Sequence, residues 1–198
     1  MMLKHLRAAT LVSAVLLAAL TAYAWFQRDA LRDTVREAVS IGAPFRLASS
    51  RGGHVDSGDL AGQPYAIFFG FTNCPEVCPT TLYEMSNVLE KLGDAARDFR
   101  VFFVTVDPER DTVEKMKAYI ASFDPRMEAL VPTADQLPGL ASAFRVYYAK
   151  VPTSDGGYTM DHTATVFLMG ADGRFASTIS YGEAPEMREA KLRKLLGQ

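Results

Sequence analysis

Hydrophobic positions in this chain follow three patterns. An uncharged apolar stretch runs from Ala8 to Phe26 near the amino terminus. Beyond it, short dense apolar runs alternate with segments where apolar residues recur three and four apart. Dense runs bounded by turn residues read as buried strands, and the three-and-four spacing reads as amphipathic helix. Tyr65 to Phe71 and Arg100 to Val106 are nearly continuous apolar runs. That character suits strands of a parallel sheet covered on both faces. Leu82, Met85, Val88, Leu89 and Leu92 predict a helix after the first run. Val113, Met116, Tyr119, Ile120 and Phe123 predict another after the second.

The remaining elements are shorter. Pro44 to Leu47 and His54 to Asp56 flank the turn residues Ser50 to Gly53, which predicts a small hairpin ahead of the core. His54 lies in this polar hairpin and reads as a surface residue, not a ligand. Leu130-Val131 adds a short strand. Thr133 and Asp135 can cap a helix running to about Phe144, and Tyr147 to Val151 is a strand candidate. Thr165 to Met169 and Phe175 to Ile179 flank Ala171-Asp172-Gly173, a hairpin pattern. A closing helix covers Glu186 to Leu196. Strands alternating with helices, then a hairpin and a helix, predict an α/β sandwich.

The apolar stretch at the start changes the picture of where this domain works. Lys4, His5 and Arg7 precede it and Arg28 closes it. Its length suits a membrane-spanning helix, roughly 17–25 residues. Basic residues in front place that end in the cytoplasm and the rest of the chain outside. We read residues 1–28 as an uncleaved signal anchor with a single transmembrane helix, 29–40 as a juxtamembrane linker, and 41–198 as the main domain. The rival reading is a cleaved leader and soluble export, for which Ala22-Tyr23-Ala24 fits the small-x-small cleavage rule. Both put the domain in the bacterial periplasm or an equivalent oxidising compartment. A net charge of -2, with no long basic run, gives no support for nucleic-acid binding.

The chain has two cysteines, Cys74 and Cys78, placed where the Tyr65 run stops and a helix begins. Pro79 suits the first helical turn, where its missing N–H would have had no partner. Cys78 is then expected at or beside the N-cap, where the helix dipole favours a thiolate and makes it reactive. A purely structural disulfide is the lesser reading. So short a loop gains only about 2 kcal/mol, against about 5 for a loop of about a hundred residues. A reactive cysteine loop between a central strand and a helix is how the thioredoxin-like fold places its chemistry. By that analogy Asp161-His162-Thr163, just before the Thr165 strand, would face the two sulfurs.

Three blocks carry a resemblance. They are Gly70-Phe71-Thr72-Asn73-Cys74-Pro75-Glu76-Val77-Cys78-Pro79, Val106-Asp107-Pro108-Glu109-Arg110-Asp111-Thr112, and Asp161-His162-Thr163. In this order the chain resembles the Sco/SenC copper chaperones of cytochrome oxidase assembly, from about Ile41 to near the C-terminus. The resemblance implies a thioredoxin-like sandwich with an N-terminal β-hairpin. It implies one copper per chain, Cu(I) or Cu(II), on Cys74, Cys78 and His162. It also implies delivery to the binuclear copper centre of cytochrome c oxidase subunit II or a related copper enzyme, alongside other copper carriers or thiol reductants. The ligand chemistry agrees. Thiolates favour Cu(I), and imidazole suits either copper state. Zinc fits the ligand types, but structural zinc normally takes four protein ligands.

Supporting roles stay open at this level. Glu76 can tune charge, meet a partner or be a solvated loop residue. Asp161 can orient His162 or cap a turn. Asp107 to Asp111 can be a simple strand-to-helix turn in which Arg110 and Asp111 pair, or its negative charge can shape a docking surface. Met169 reads as core, and Met160 is undecided. The alternative function is a thiol–disulfide oxidoreductase reducing the target's cysteines, with Cys78 attacking or resolving and Cys74 completing the exchange. The usual motif there is C-x-x-C, which this chain lacks. A redox or copper sensor on the same ligands is a third reading, and a peroxidase has nothing beyond the cysteines behind it.

Overall fold

Two central strands set the frame. β3 (Tyr65–Gly70) is buried at every position, and β4 (Arg100–Thr105) at all but its first. They pair in parallel, Tyr65 opposite Arg100 and Gly70 opposite Thr105. β5 (Met127–Val131) continues the parallel set beyond β4. On the other side of β3, β8 (Thr165–Met169) runs antiparallel, and β9 (Phe175–Ser180) pairs antiparallel with β8. β1 (Arg46–Ser49) lies antiparallel to β5, and β2 (His54–Asp56) completes that edge. The sheet therefore has seven strands in the order β2-β1-β5-β4-β3-β8-β9. The expected N-terminal hairpin is β1–β2, with His54 exposed.

The computed structural model describes residues 16–28 and 41–198. Residues 16–28 form a helix, α1. No helix among the described residues is long and apolar enough to cross a membrane. The front of the expected span and the 29–40 linker lie outside the described residues. The chain divides into units 1–40 and Ile41–Gln198.

Alternation along β3 and β4 gives the sheet two differently used faces. Phe69 packs against Phe144 and Phe167 on one face. Phe68 and Phe103 stack on the other, where Phe103 also stacks on Tyr119 of α3 (Val113–Ile120). α2 (Val77–Leu92) buries Leu82, Met85, Val88, Leu89 and Leu92, as its spacing predicts. α4 (Gln136–Ala143) is capped by Thr133, whose hydroxyl accepts from the Gln136 N–H. Asp135 holds the N-cap position without a side-chain bond. α5 (Pro185–Leu195) packs against α2 and joins it through the Arg188–Glu84 ion pair.

The strand expected at Tyr147–Val151 forms, but it has a partner strand that was not anticipated. β6 (Tyr148–Pro152) and β7 (Tyr158–His162) form a separate antiparallel hairpin, with Tyr148 opposite His162. The sequence pattern places Asp161-His162-Thr163 in the loop just before β8 and assigns no strand there. Yet Tyr158, Met160 and His162 alternate with Thr159 and Asp161, the period-two signature of a strand. Met160 is buried in this hairpin and Met169 in β8, so both belong to the core.

Phe69 is fully buried, so Phe69→Ala is expected to lower stability by about 3–5 kcal/mol. The check is a lower urea midpoint at unchanged slope.

Candidate metal centre

The site begins with a glycine. At Gly70, the last residue of β3, an added Cβ would stand 2.7 Å from the Cys78 sulfur and 2.7 Å from a Phe103 ring carbon. Only the missing side chain lets the first turn of α2 seat Cys78 with no exposed surface. The chain then crosses the loop 71–76. Cys74 stays partly exposed at its centre.

The helix start differs from the expected one. Glu76, not Cys78, holds the N-cap position, and its carboxylate makes no cap bond. The Cys74 sulfur does that work instead, accepting the Cys78 backbone N–H at 3.3 Å. Cys74 is therefore the acidic thiol, which corrects the assignment to Cys78. A hydrogen bond from the Cys78 thiol, then from the Cys78 and Glu76 amides, holds its pKa down to about 4, against the opposing effect of burial. Cys78 shifts upward, because it donates to Cys74, is buried, and faces the Cys74 charge. Both thiols are free.

His162 arrives from the opposite side as the last residue of β7. Its Nδ1 lies 3.1 Å from the Thr163 carbonyl oxygen, and its Nε2 lies 3.6 Å from the Cys78 sulfur. A carbonyl only accepts, so this arrangement puts the proton on Nδ1 and leaves the Nε2 lone pair for the sulfur side. The ring stands edge-on to Phe71 at 5.7 Å and tilted to Phe68 at 6.4 Å. The ligand atoms of Cys74, Cys78 and His162 all lie within 4.8 Å of one another, the one such group among the described residues. Donors each about 2.0–2.3 Å from an ion fit this spacing.

The Asp107–Asp111 loop supports both halves. Asp111 is fully buried. It accepts from the Thr72 N–H at 3.0 Å and from the Thr105 hydroxyl at 2.8 Å, and the Thr72 hydroxyl also donates to it. The Lys115 ammonium lies 3.3 Å away. Asp107, also buried, pairs with Arg110 and accepts the Tyr158 hydroxyl at 2.9 Å. So Arg110 pairs with Asp107, not with Asp111, and both carboxylates are covered. Neither can shape a docking surface, as one reading of this block expected.

The other expected helpers separate. Asp161 is exposed and leaves the opposite side of β7 from His162. The Thr163 carbonyl takes the ring-orienting place expected of it. Glu76 is exposed beside the site and accepts the Tyr181 hydroxyl at 3.4 Å. Sequence reasoning did not single out Gly70, Thr72 or Tyr158, and gave Asp111 only a pairing with Arg110. Gly70, Thr72 and Asp111 sit in two of the three blocks, so the signal was present without its physical meaning.

The chain matches the SCO1/SenC family over residues 33–197. ScoI of Bradyrhizobium japonicum, whose structure was solved with copper bound, is 46% identical, with a TM-score of 0.73 over 79% of this chain and 99% of that one. A SCO2-like protein of Rickettsia prowazekii is 37% identical over 139 residues, 69% of this chain and 68% of its own length. The human mitochondrial SCO1 homolog is 38% identical over 138 residues, 68% of this chain and 46% of its own length.

Two outcomes follow from the geometry. In the reduced, metal-free protein, Cys74 is expected to alkylate much faster than Cys78. Because the thiolate is the reactive form, that rate should persist through mildly acidic pH and fall only toward about 4; peptide mapping by mass spectrometry reads both. Gly70→Ala should cost about 1–3 kcal/mol by overpacking and raise Cys78 labelling, measured by urea titration and the same mapping.

Proposed function

The chain belongs to the SCO1/SenC family, and from that premise we propose that it binds one copper ion on Cys74, Cys78 and His162 and passes it to the binuclear copper centre of cytochrome c oxidase subunit II, or of a related copper enzyme, during oxidase assembly. The observation carrying this reading is the convergence of two sulfurs and one imidazole nitrogen within 4.8 Å. The copper bound in the Bradyrhizobium relative supports it.

Each residue has a distinct part. Cys74, already the thiolate, offers a soft anionic ligand at the surface. Cys78 yields its proton on loading and holds the ion from beneath. His162 adds a neutral nitrogen whose direction is fixed by the Thr163 carbonyl. Three protein donors leave room for a donor from the recipient. Partial exposure of Cys74 and full burial of Cys78 make Cys74 the ligand an incoming donor reaches first. The domain works on the exported face of a membrane, held there by the N-terminal segment.

The same asymmetry favours a second reading, reduction of the recipient's cysteine disulfide. Cys74 attacks one sulfur of that disulfide, forming a mixed disulfide and releasing one thiolate. Cys78 then displaces the other thiolate, its proton passing to the leaving sulfur, and the Cys74–Cys78 disulfide remains. Of the two expected orders these roles take the one in which Cys78 resolves, because the exposed Cys74 thiolate attacks and the buried thiol resolves. Reduction and loading are compatible as successive steps. The loop His162-Thr163-Ala164 carries an imidazole and no proline, which favours the carrier.

Copper titration of the reduced full chain tests this. One tight copper per chain is expected. His162→Ala should keep the fold and weaken Cu(II) binding by orders of magnitude, while Cys74→Ser and Cys78→Ser each abolish tight binding. Unchanged Cu(II) affinity in the His162 variant would sink the three-ligand site.

A further inference from the structure

The β6–β7 hairpin supplies His162 but is not part of the seven-stranded sheet. Something else must hold it in place. Met160 packs into the core, and the polar contacts concentrate at the far end, around Tyr158. The Arg110 guanidinium carbon lies 3.7 Å above the Tyr158 ring, and Arg110 Nη1 donates to the Tyr158 carbonyl at 2.7 Å. Arg110 Nε donates to Asp107, which also accepts the Tyr158 hydroxyl at 2.9 Å. The Lys150 ammonium of β6 lies 4.7 Å from the centre of the same Tyr158 ring and pairs with Glu109 at 2.5 Å.

We propose that Arg110, clasping Tyr158, is a positioning residue that sets where His162 stands over the two sulfurs, and thereby how differently the site holds Cu(II) and Cu(I). The proposal rests on the three-ligand reading above. Tyr158 and His162 are the two ends of β7, about 13 Å apart at strand rise. A strand clamped at one end transmits that placement to the other. The same loop holds the cysteine arm, since Asp111 anchors Thr72. One short segment, Asp107–Asp111, thus fixes both arms of the site relative to each other. Two thiolates suffice for Cu(I), whereas Cu(II) depends on the imidazole nitrogen. Loosening the hairpin alone therefore penalises Cu(II) selectively.

The guanidinium is used in a way an ammonium cannot copy. Nε reaches Asp107 while Nη1 reaches the Tyr158 carbonyl, and the flat cation lies on the ring. A lysine retains charge and ring contact but loses the fork.

The experiment compares Arg110→Ala, Arg110→Lys and Tyr158→Phe in the full chain. In the metal-free protein, amide hydrogen exchange across residues 148–162 should accelerate in Arg110→Ala while β3 and β4 amides stay protected. Cu(II) affinity should fall about 10–100-fold, the usual effect of removing an outer partner of a metal ligand. Cu(I) affinity should hold, and the nitrogen coupling in the Cu(II) paramagnetic resonance spectrum should weaken. Arg110→Lys should recover part of both effects, and Tyr158→Phe should show a smaller version. Unchanged exchange in the hairpin overturns the proposal, as does an equal loss of Cu(I) and Cu(II) with exchange rising throughout the domain. Should His162→Ala leave Cu(II) binding intact, the three-ligand site fails, and the hairpin exchange still decides whether Arg110 holds β7.

Discussion

A buried carboxylate that must be fully satisfied organises this molecule. Asp111 has no exposed surface, and a buried charge without partners is expensive. Its demands are met by groups from three places: Thr105 at the end of β4, Thr72 in the cysteine loop, and Lys115 in the first turns of α3. Satisfying Asp111 therefore forces these three segments together. The loop after β3 has no ladder of its own, and this carboxylate stands in for one. Its neighbour Asp107 does the corresponding work for the hairpin that carries His162.

The second constraint is the inequality of the two cysteines. A symmetric pair would share a proton evenly and present two equivalent sulfurs. Here the Gly70 gap draws Cys78 beneath the sheet end, while the helix amides converge on Cys74. Charge goes to the sulfur that has donors around it, and the proton stays on the sulfur that lacks them. The chemistry of carrying an ion and that of exchanging a disulfide draw on the same difference.

Much of this was legible before any coordinates. The dense runs at Tyr65 and Arg100 became the paired central strands, and the CxxxC segment with His162 became the clustered donors. Those features follow from local periodicity and from residue types with few other uses. What stayed hidden depended on long-range partners. Arg110 has acids at 107, 109 and 111 within reach in the sequence, and only the fold selects Asp107. Cys78 was expected to gain from the dipole because it lies at a helix start. The loop geometry gives that position to the Cys74 sulfur, four residues earlier. Asp161 adjoins His162 in sequence, and strand alternation sends it the other way.

The aromatic wall has a consequence of its own. Phe68 and Phe71 flank the imidazole, and Phe103 lies against the Gly70–Cys78 contact. A dithiolate around a monovalent ion carries one net negative charge, whereas the same pair around a divalent ion is neutral. Apolar rings stabilise the neutral assembly relative to the anionic one. Sulfur softness pulls in the opposite direction, toward the monovalent ion. With the two preferences opposed, the reduction potential of a bound ion is set by their difference, and substitutions at the phenylalanines should tune it without altering a single ligand.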